Sequence, residues 1–237
     1  MIPAWNEEKY LPRLLDSIDA AKAGCRLGSG AVEVIVADNA STDGTAGIAE
    51  ARGCRVVSVQ KRAIAAARNG GAAIATGEIL CFVDADSEVH PETFDAIHRA
   101  MGEGRWVAGA TGVRLDRWSP GIFLTWCLLM ALVAALKVDT GVVFCRREDF
   151  QAIGGYNEAR LFAEDVEFLW SLRRLGRSRG QSLLRLKGTE ALGSTRKFDK
   201  YGDWHYFTRM PALLLGMVLK TGRGSAFAQK YWYEDDR

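Results

Sequence analysis

Residues 78–83 read EILCFV and run straight into Asp84-Ala85-Asp86. A short apolar run of this kind reads as a strand covered on both faces, and this one delivers two carboxylates at its carboxyl end. Residues 31–37 (AVEVIVA) repeat the pattern upstream and end in the polar turn Asp38-Asn39-Ala40-Ser41-Thr42-Asp43-Gly44-Thr45. Working outward, residues 1–4 are the stump of a further strand and residues 55–59 form another. Helical patterns lie between them. Residues 7–23 place Tyr10, Leu11, Leu14, Leu15 and Ile18 on one face, a short helix surrounds Ile48, and residues 63–75 are alanine-rich. Pro12 sits awkwardly in the first helix, because proline belongs in a first turn; Gly70 and Gly71 weaken the third. Pro91 opens a fourth helix in the position where proline is favoured. The second half is less regular, with strands expected over residues 107–113 and 142–146 and a helix over 164–175. The alternation predicts an α/β fold, a mixed and mostly parallel sheet with helices on both faces.

Composition narrows the class. With 31 basic and 29 acidic side chains in 237 residues, the formal net charge is only +2, which gives no support to a nucleic-acid binder. Apolar residues at 48% and charged residues at 25% are ordinary globular values and argue against disorder. The length suits one large domain. Cys25, Cys54, Cys81, Cys127 and Cys145 are scattered, with no C-x-x-C pair; a disulfide framework or zinc knuckle is not expected, and a reducing, cytoplasmic setting is. No signal-peptide pattern opens the chain.

Ligands of open α/β sheets bind beyond the carboxyl ends of the strands, where Asp38, Asp84 and Asp86 fall. Neither G-x-G-x-x-G nor G-x-x-x-x-G-K-[ST] occurs at these turns, which argues against a dinucleotide-binding Rossmann domain and a P-loop NTPase. In extended backbone Asp84 and Asp86 point to one face roughly 7 Å apart, too far to chelate one ion together. One can hold a divalent cation while the other holds a ribose or a water-bridged partner. Hard oxygen ligands suit Mg²⁺ or Mn²⁺, beside substrate phosphates. The plainer alternative is a solvated acidic loop capping the next helix. Asp43 has the same alternative, while Asp38 is freer to accept from a base or ribose. Glu164-Asp165 stands at a helix start, where a carboxylate can act as general base on an acceptor hydroxyl or simply complement the helix dipole.

Several of these segments form an ordered set. Pro3-Ala4-Trp5-Asn6-Glu7 resembles the P-x-[YW]-N-E opening motif of family 2 glycosyltransferases, and DNASTDGT their second motif. Ala67-Arg68-Asn69-Gly70 and Gly77-Glu78-Ile79-Leu80 are similar to the A-R-N-x-G and G-E-[IL]-[IL] elements, Asp84-Ala85-Asp86 to the D-x-D, and Gly154-Gly155-Tyr156-Asn157-Glu158 with Glu164-Asp165 to the G-G-[FY] and E-D pair. Order and spacing agree from residue 3 to about 176.

The resemblance implies a single GT-A domain over residues 1–237, with 1–116 as the nucleotide-sugar half and 117–237 as the acceptor-side half. It implies that Ala4, Trp5, Glu7, Asp38, Arg68 and Asp84 surround a nucleotide-diphosphate sugar, with Glu164 also at the substrate. Asp86 would be the ligand of a divalent metal (Mg²⁺ or Mn²⁺) and Asp165 the catalytic base of an inverting displacement. The acceptor is open: a glycan, a lipid or a small molecule. The family's late Q-x-x-R-W-type motif is absent; Ser194-Thr195-Arg196-Lys197-Phe198 is a candidate substitute, with Arg196 or Lys197 either near phosphate or plain surface charge, and His205 is either a further metal ligand or a partly buried structural histidine. Two other classes fit the pattern. One is a non-catalytic sugar-nucleotide-binding module. The other is a nucleotidyltransferase, although residues 3–7 lack the glycine- and basic-rich phosphate loop such enzymes carry.

Residues 121–136 carry no charge. As a helix they span roughly 24 Å at 1.5 Å per residue, short of a hydrocarbon core of about 30 Å. The run reads either as a buried or dimer-forming helix, or as an interfacial helix at the inner face of the membrane. Residues 211–219 (PALLLGMVL) offer a second such stretch.

Overall fold

The computed structural model describes residues 1–160 and 163–208. Residues 211–219 lie outside them. The described residues form two compact units, one of Met1–Arg114 with Val138–Gly193 and one of Leu115–Lys137 with residues 194–208.

The first unit is built on strands with acidic or polar carboxyl ends. Its elements are β1 (Ile2–Ala4), α1 (Leu11–Ala23), β2 (Ile35–Asp38), α2 (Thr45–Ala51), β3 (Arg55–Ser58), α3 (Ile64–Ile74), β4 (Ile79–Phe82), α4 (Thr93–Gly102) and β5 (Trp106–Ala110). β6 (Val113–Leu115) leads to α5 (Pro120–Leu136), after which come β7 (Val143–Arg146), α6 (Arg147–Ala152), α7 (Glu164–Arg177), β8 (Ser182–Arg185) and β9 (Ala191–Gly193). α8 (Arg196–Tyr201) and α9 (His205–Thr208) follow.

β1, β2 and β3 pair in parallel, with Ala4 opposite Asp38 and Asp38 opposite Ser58. β4, β7, β5 and β8 form a second sheet in that order. Met1 N donates to the Cys81 carbonyl (2.6 Å) and Val83 N to the Met1 carbonyl (3.1 Å). This is the pattern of neighbouring parallel strands, and it sets β1 beside β4. The mixed, mostly parallel sheet is therefore present. β7 is the strand that runs against its neighbours, pairing antiparallel with both β4 and β5. Helix-borne Leu11, Leu14, Leu15, Ile18, Ile97 and Met101 bury against Ile2, Val36 and Phe144 of the sheet.

Local differences from the sequence reading have local causes. α1 starts at Leu11 rather than residue 7, so Pro12 falls in its first turn and its missing N–H costs nothing. Residues 7–10 form a turn instead: the Glu7 carbonyl accepts from Tyr10 N (3.0 Å) and Leu11 N (2.8 Å). Gly70 sits mid-helix because a Cβ there would lie 2.5 Å from Val59 Cγ2, so the helix closes on the end of β3 only without a side chain.

The second unit is anchored by polar contacts. Ser119 caps α5, its hydroxyl accepting from Ile122 N (3.3 Å), with Pro120 in the first turn. Arg117 binds Asp199 (2.7 Å) and Asp203 (2.8 Å), and Asp116 accepts from the Thr195 amide (3.1 Å) and hydroxyl (2.6 Å). Gly121 lets the backbone at Asp203 approach, since a Cβ would stand 2.7 Å from that carbonyl oxygen. Burial of α5 is confined to its start, at Gly121, Ile122 and Thr125. Phe123, Leu124, Leu128 and Leu132 are each about half exposed, and Trp118, Phe123 and Trp126 cluster with ring centroids 5.7–6.5 Å apart. Among the described residues, no helix is long and apolar enough to cross a membrane.

Candidate active site

The carboxyl ends of β1 and β2 are tied together by their own turns. Asn6 takes a left-handed φ of 52°, a conformation asparagine tolerates better than most residues. Its Oδ1 accepts from Thr42 N (2.8 Å), and its backbone N–H donates to Ser41 Oγ (3.0 Å). The Glu7 amide donates to Thr45 Oγ1 (2.8 Å), and Asp43 accepts from Thr45 N (3.0 Å) and Glu8 N (3.2 Å). Asp43 thus braces the turn just ahead of α2, whose N-cap is Gly44. Asp38 is buried at the end of β2 and accepts from Ser41 N at 3.3 Å. Ala4 and Glu7 are buried; Trp5 is half-buried, with the Arg62 guanidinium 3.6 Å from its ring centroid.

Arg68 is the hub of the site. It lies on α3, nearly fully buried, and reaches three carboxylates from two distant parts of the chain: Asp84 Oδ1 (2.9 Å), Glu164 Oε1 (3.2 Å) and Asp165 Oδ1 (2.6 Å). Its ionisation follows from its neighbours. Burial works against the cation, but Asp165, Tyr156, Asp84 and Glu164 outweigh it and hold the guanidinium charged. One cation does not balance three anions. Burial pushes Asp165 above the ordinary carboxylate range, although Arg68 pulls it down and Asp84 pushes it further up. Glu164 is raised as well, by burial first and then by Asp165.

Asp84 and Asp86 do not stand as the sequence reading expected. β4 ends at Phe82, and Ser87 N donates to the Asp84 carbonyl (3.1 Å), so Asp84–Ser87 is a turn. The alternation of an extended strand no longer applies there. Asp84 is exposed and bound to Arg68, and Asp86 is half-buried one step along the turn. Among the described residues, no group of three His, Cys, Asp or Glu side chains converges as a metal cage. His205, Arg196 and Lys197 belong to the other unit, where His205 is buried and its Nδ1 donates to the Gly202 carbonyl (2.8 Å).

Two residues of the site fell inside quoted motif elements, Asn69 in Ala67-Arg68-Asn69-Gly70 and Tyr156 in Gly154-Gly155-Tyr156, without being given a role of their own. Tyr156 is buried and stacks on Phe168 (3.9 Å between centroids, 9° between planes), with Phe82 and Phe150 packed around them. The Arg68 guanidinium lies 5.1 Å from the Tyr156 ring centroid, so an aromatic floor sits under the charge hub. Asn69, next to Arg68 on α3, binds both backbone groups of Tyr156.

The glycosyl transferase family 2 profile matches residues 1–120. The chain belongs to this family. It is 33% identical over 121 residues to undecaprenyl-phosphate 4-deoxy-4-formamido-L-arabinose transferase of Pseudomonas paraeruginosa, an alignment covering 46% of this chain and 34% of the relative. To 4,4'-diaponeurosporenoate glycosyltransferase of Staphylococcus haemolyticus it is 38% identical over 104 residues, covering 39% and 24%. The chain therefore spans about a third or less of the length of these curated relatives. Its fold is of the GT-A type. The mannosyltransferase PcManGT from Pyrobaculum calidifontis, solved with GDP-Man and Mn²⁺, superposes with a TM-score of 0.62 at 21% identity, over 81% of this chain and 55% of that one.

Proposed function

We propose that this family 2 chain is a glycosyltransferase that moves a sugar from a nucleotide-diphosphate sugar to an acceptor hydroxyl, with inversion and with a divalent metal. The observation that carries the reading is the junction at Arg68, where the carboxylate after β4 meets the two that open α7. It puts the donor-side acid and a base-competent acid within reach of one another. Ala4, Trp5, Glu7, Asp38, Arg68 and Asp84 are the donor-binding set, with Glu164 beside them. Asp165 accepts the proton of the acceptor hydroxyl as that oxygen bonds to the anomeric carbon. The bond from that carbon to the diphosphate oxygen breaks, and the electron pair leaves with the nucleoside diphosphate. In a single displacement of this kind the anomeric configuration inverts.

Asp86 fits a hard cation in donor type, offering carboxylate oxygens on the turn after β4. The remaining ligands would come from diphosphate and water, an arrangement Mg²⁺ accepts. Bound there, the metal would supply charge neutralisation at the leaving diphosphate. The decisive experiment is a screen of nucleotide sugars with Mn²⁺ and a pool of acceptors. Release of nucleoside diphosphate is the expected result. Release of pyrophosphate would point instead to nucleotidyl transfer, and donor binding without release to a non-catalytic module.

We further infer that α5 docks on a lipid surface on the cytoplasmic side. Three observations support a bilayer over a second protein copy. The helix is apolar on all its faces, where a protein partner needs only one apolar stripe. Its start carries the aromatic cluster of Trp118, Phe123 and Trp126, and its end carries Lys137, side chains suited to the headgroup level. Both curated relatives carry a long-chain compound in their names, undecaprenyl phosphate and 4,4'-diaponeurosporenoate. The protein is expected to co-sediment with liposomes, and the exposed-residue variant Leu128→Glu/Leu132→Glu to lose most of that binding with an unchanged melting midpoint. Equal sedimentation of both proteins would remove the inference, as would a concentration-dependent dimer that the double variant dissociates.

A further inference from the structure

The turn that leads toward the carboxylates of α7 is held from α3, by the residue next to Arg68. Asn69 Nδ2 donates to the Tyr156 carbonyl (2.9 Å), and Asn69 Oδ1 accepts from the Tyr156 amide (2.9 Å). A third bond runs from Asn69 Nδ2 to Glu158 Oε1 (3.0 Å), whose other oxygen takes Lys61 Nζ (2.8 Å). One side chain thereby satisfies both backbone groups of a buried aromatic residue. The fit leaves no slack. Gly154 and Gly155 take left-handed φ values of 79° and 74°, and a Cβ at Gly155 would meet Asn69 Oδ1 at 2.7 Å and Phe150 Cζ at 2.9 Å. Tyr156 in turn is wedged against Phe168 of α7, one turn beyond Asp165.

We propose that Asn69 is a positioning residue for Asp165, acting through Tyr156. Arg68 and Asn69 are consecutive on α3, so one turn of helix sets both ends of the same connection. Arg68 holds the carboxylates themselves, and Asn69 holds the turn that carries Tyr156 under them. An amide is the side chain required. It donates to the Tyr156 carbonyl through Nδ2 and accepts from the Tyr156 amide through Oδ1; an ionised carboxylate has no donor, and a hydroxyl has a single oxygen for both bonds. Among the described residues, the side-chain hydrogen bonds of Asn69 go to Tyr156 and Glu158, outside the proposed donor-binding set. Its loss should therefore leave donor affinity nearly intact and misplace the base, an error for which a shift of about 1 Å is worth around 10²-fold in rate.

The inference rests on the transferase reading, and the test separates the two. Asn69→Ala and Asn69→Asp are compared with the parent by steady-state kinetics, by donor-induced thermal shift, and by amide hydrogen exchange over residues 154–168. Asn69→Asp keeps the acceptor for the Tyr156 amide and loses the donor, so it serves if Asn69→Ala fails to fold. The expected result is a kcat lowered about 30-fold or more with donor KM and thermal shift changed less than about threefold, together with faster exchange at Tyr156 and the first turn of α7. A folded variant with parental kcat would overturn the inference, as would donor KM rising in step with the loss of kcat. If the parent itself releases no nucleoside diphosphate, the transferase reading fails. Exchange then still decides the physical claim: unchanged protection at residues 154–168 would show that Asn69 positions nothing.

Discussion

Asp165→Asn is expected to abolish sugar transfer while the protein still binds its donor. The substitution keeps the size of the side chain and an oxygen able to accept from Arg68, at 2.6 Å in the parent. It removes the ability to take a proton. A positioned general base contributes about 10²–10⁴-fold, so kcat should fall by about 10³-fold, with a donor-induced thermal shift close to the parent's. The measurement is nucleoside diphosphate release against donor binding in the same preparation. Loss of both together would mean that Asp165 supports the donor site and does not serve as base, and turnover near the parent's rate would move the base elsewhere. The pH profile gives an independent check. Burial raises the Asp165 pKa beyond what Arg68 takes back, and the reaction needs the carboxylate ionised. Activity should therefore climb with pH along an acid limb placed above the ordinary aspartate value of about 3.9.

Arg68→Ala carries the second large effect, and it falls on stability. Removing the guanidinium leaves Glu164 and Asp165, whose side chains are only 13% and 21% exposed, without their counter-charge. Stranding buried charge of this kind costs about 3–5 kcal/mol. The lower end is appropriate because Asp84 is 58% exposed and solvated. The cost must depend on pH, and its sign is fixed. With the cation gone, the folded-state pKa values of Glu164 and Asp165 rise further above their unfolded values. The folded form then binds more protons than the unfolded form between those limits, so stability falls as pH rises through that window. The gap between parent and variant should be narrow near pH 4 and widest above pH 7, as read from urea unfolding midpoints. A gap that is constant across that range would show that the loss is one of packing, with no charge imbalance behind it.

Much of this site was readable as local pattern. The apolar runs of β2 and β4 end at Asp38 and near Asp84, and an α/β sheet presents its ligands at those ends. Pro12, which looked like an objection to α1, marked its first turn. The partnership of Arg68 with Asp165 could not be read that way, because 97 positions separate them and no period connects them. The reversed direction of β7 was hidden for a related reason: its apolar run, buried from Val143 to Cys145, reads the same in either direction. The geometry of Asp84 and Asp86 was misread because a strand pattern cannot say where the strand stops.

By itself, then, the amino-acid sequence determined the layer fold, the set of acidic turns and the family, since each depends on residue type at short range. Only the tertiary structure decided which of those acids meet. That choice depends on chain closure and on desolvation, which together draw one buried arginine to three carboxylates and one asparagine to the two peptide groups of Tyr156. The charge-free helix shows the same division. Its composition made it apolar, but burial that stops after Thr125 is a property of the packing around it, and no residue within the run encodes it.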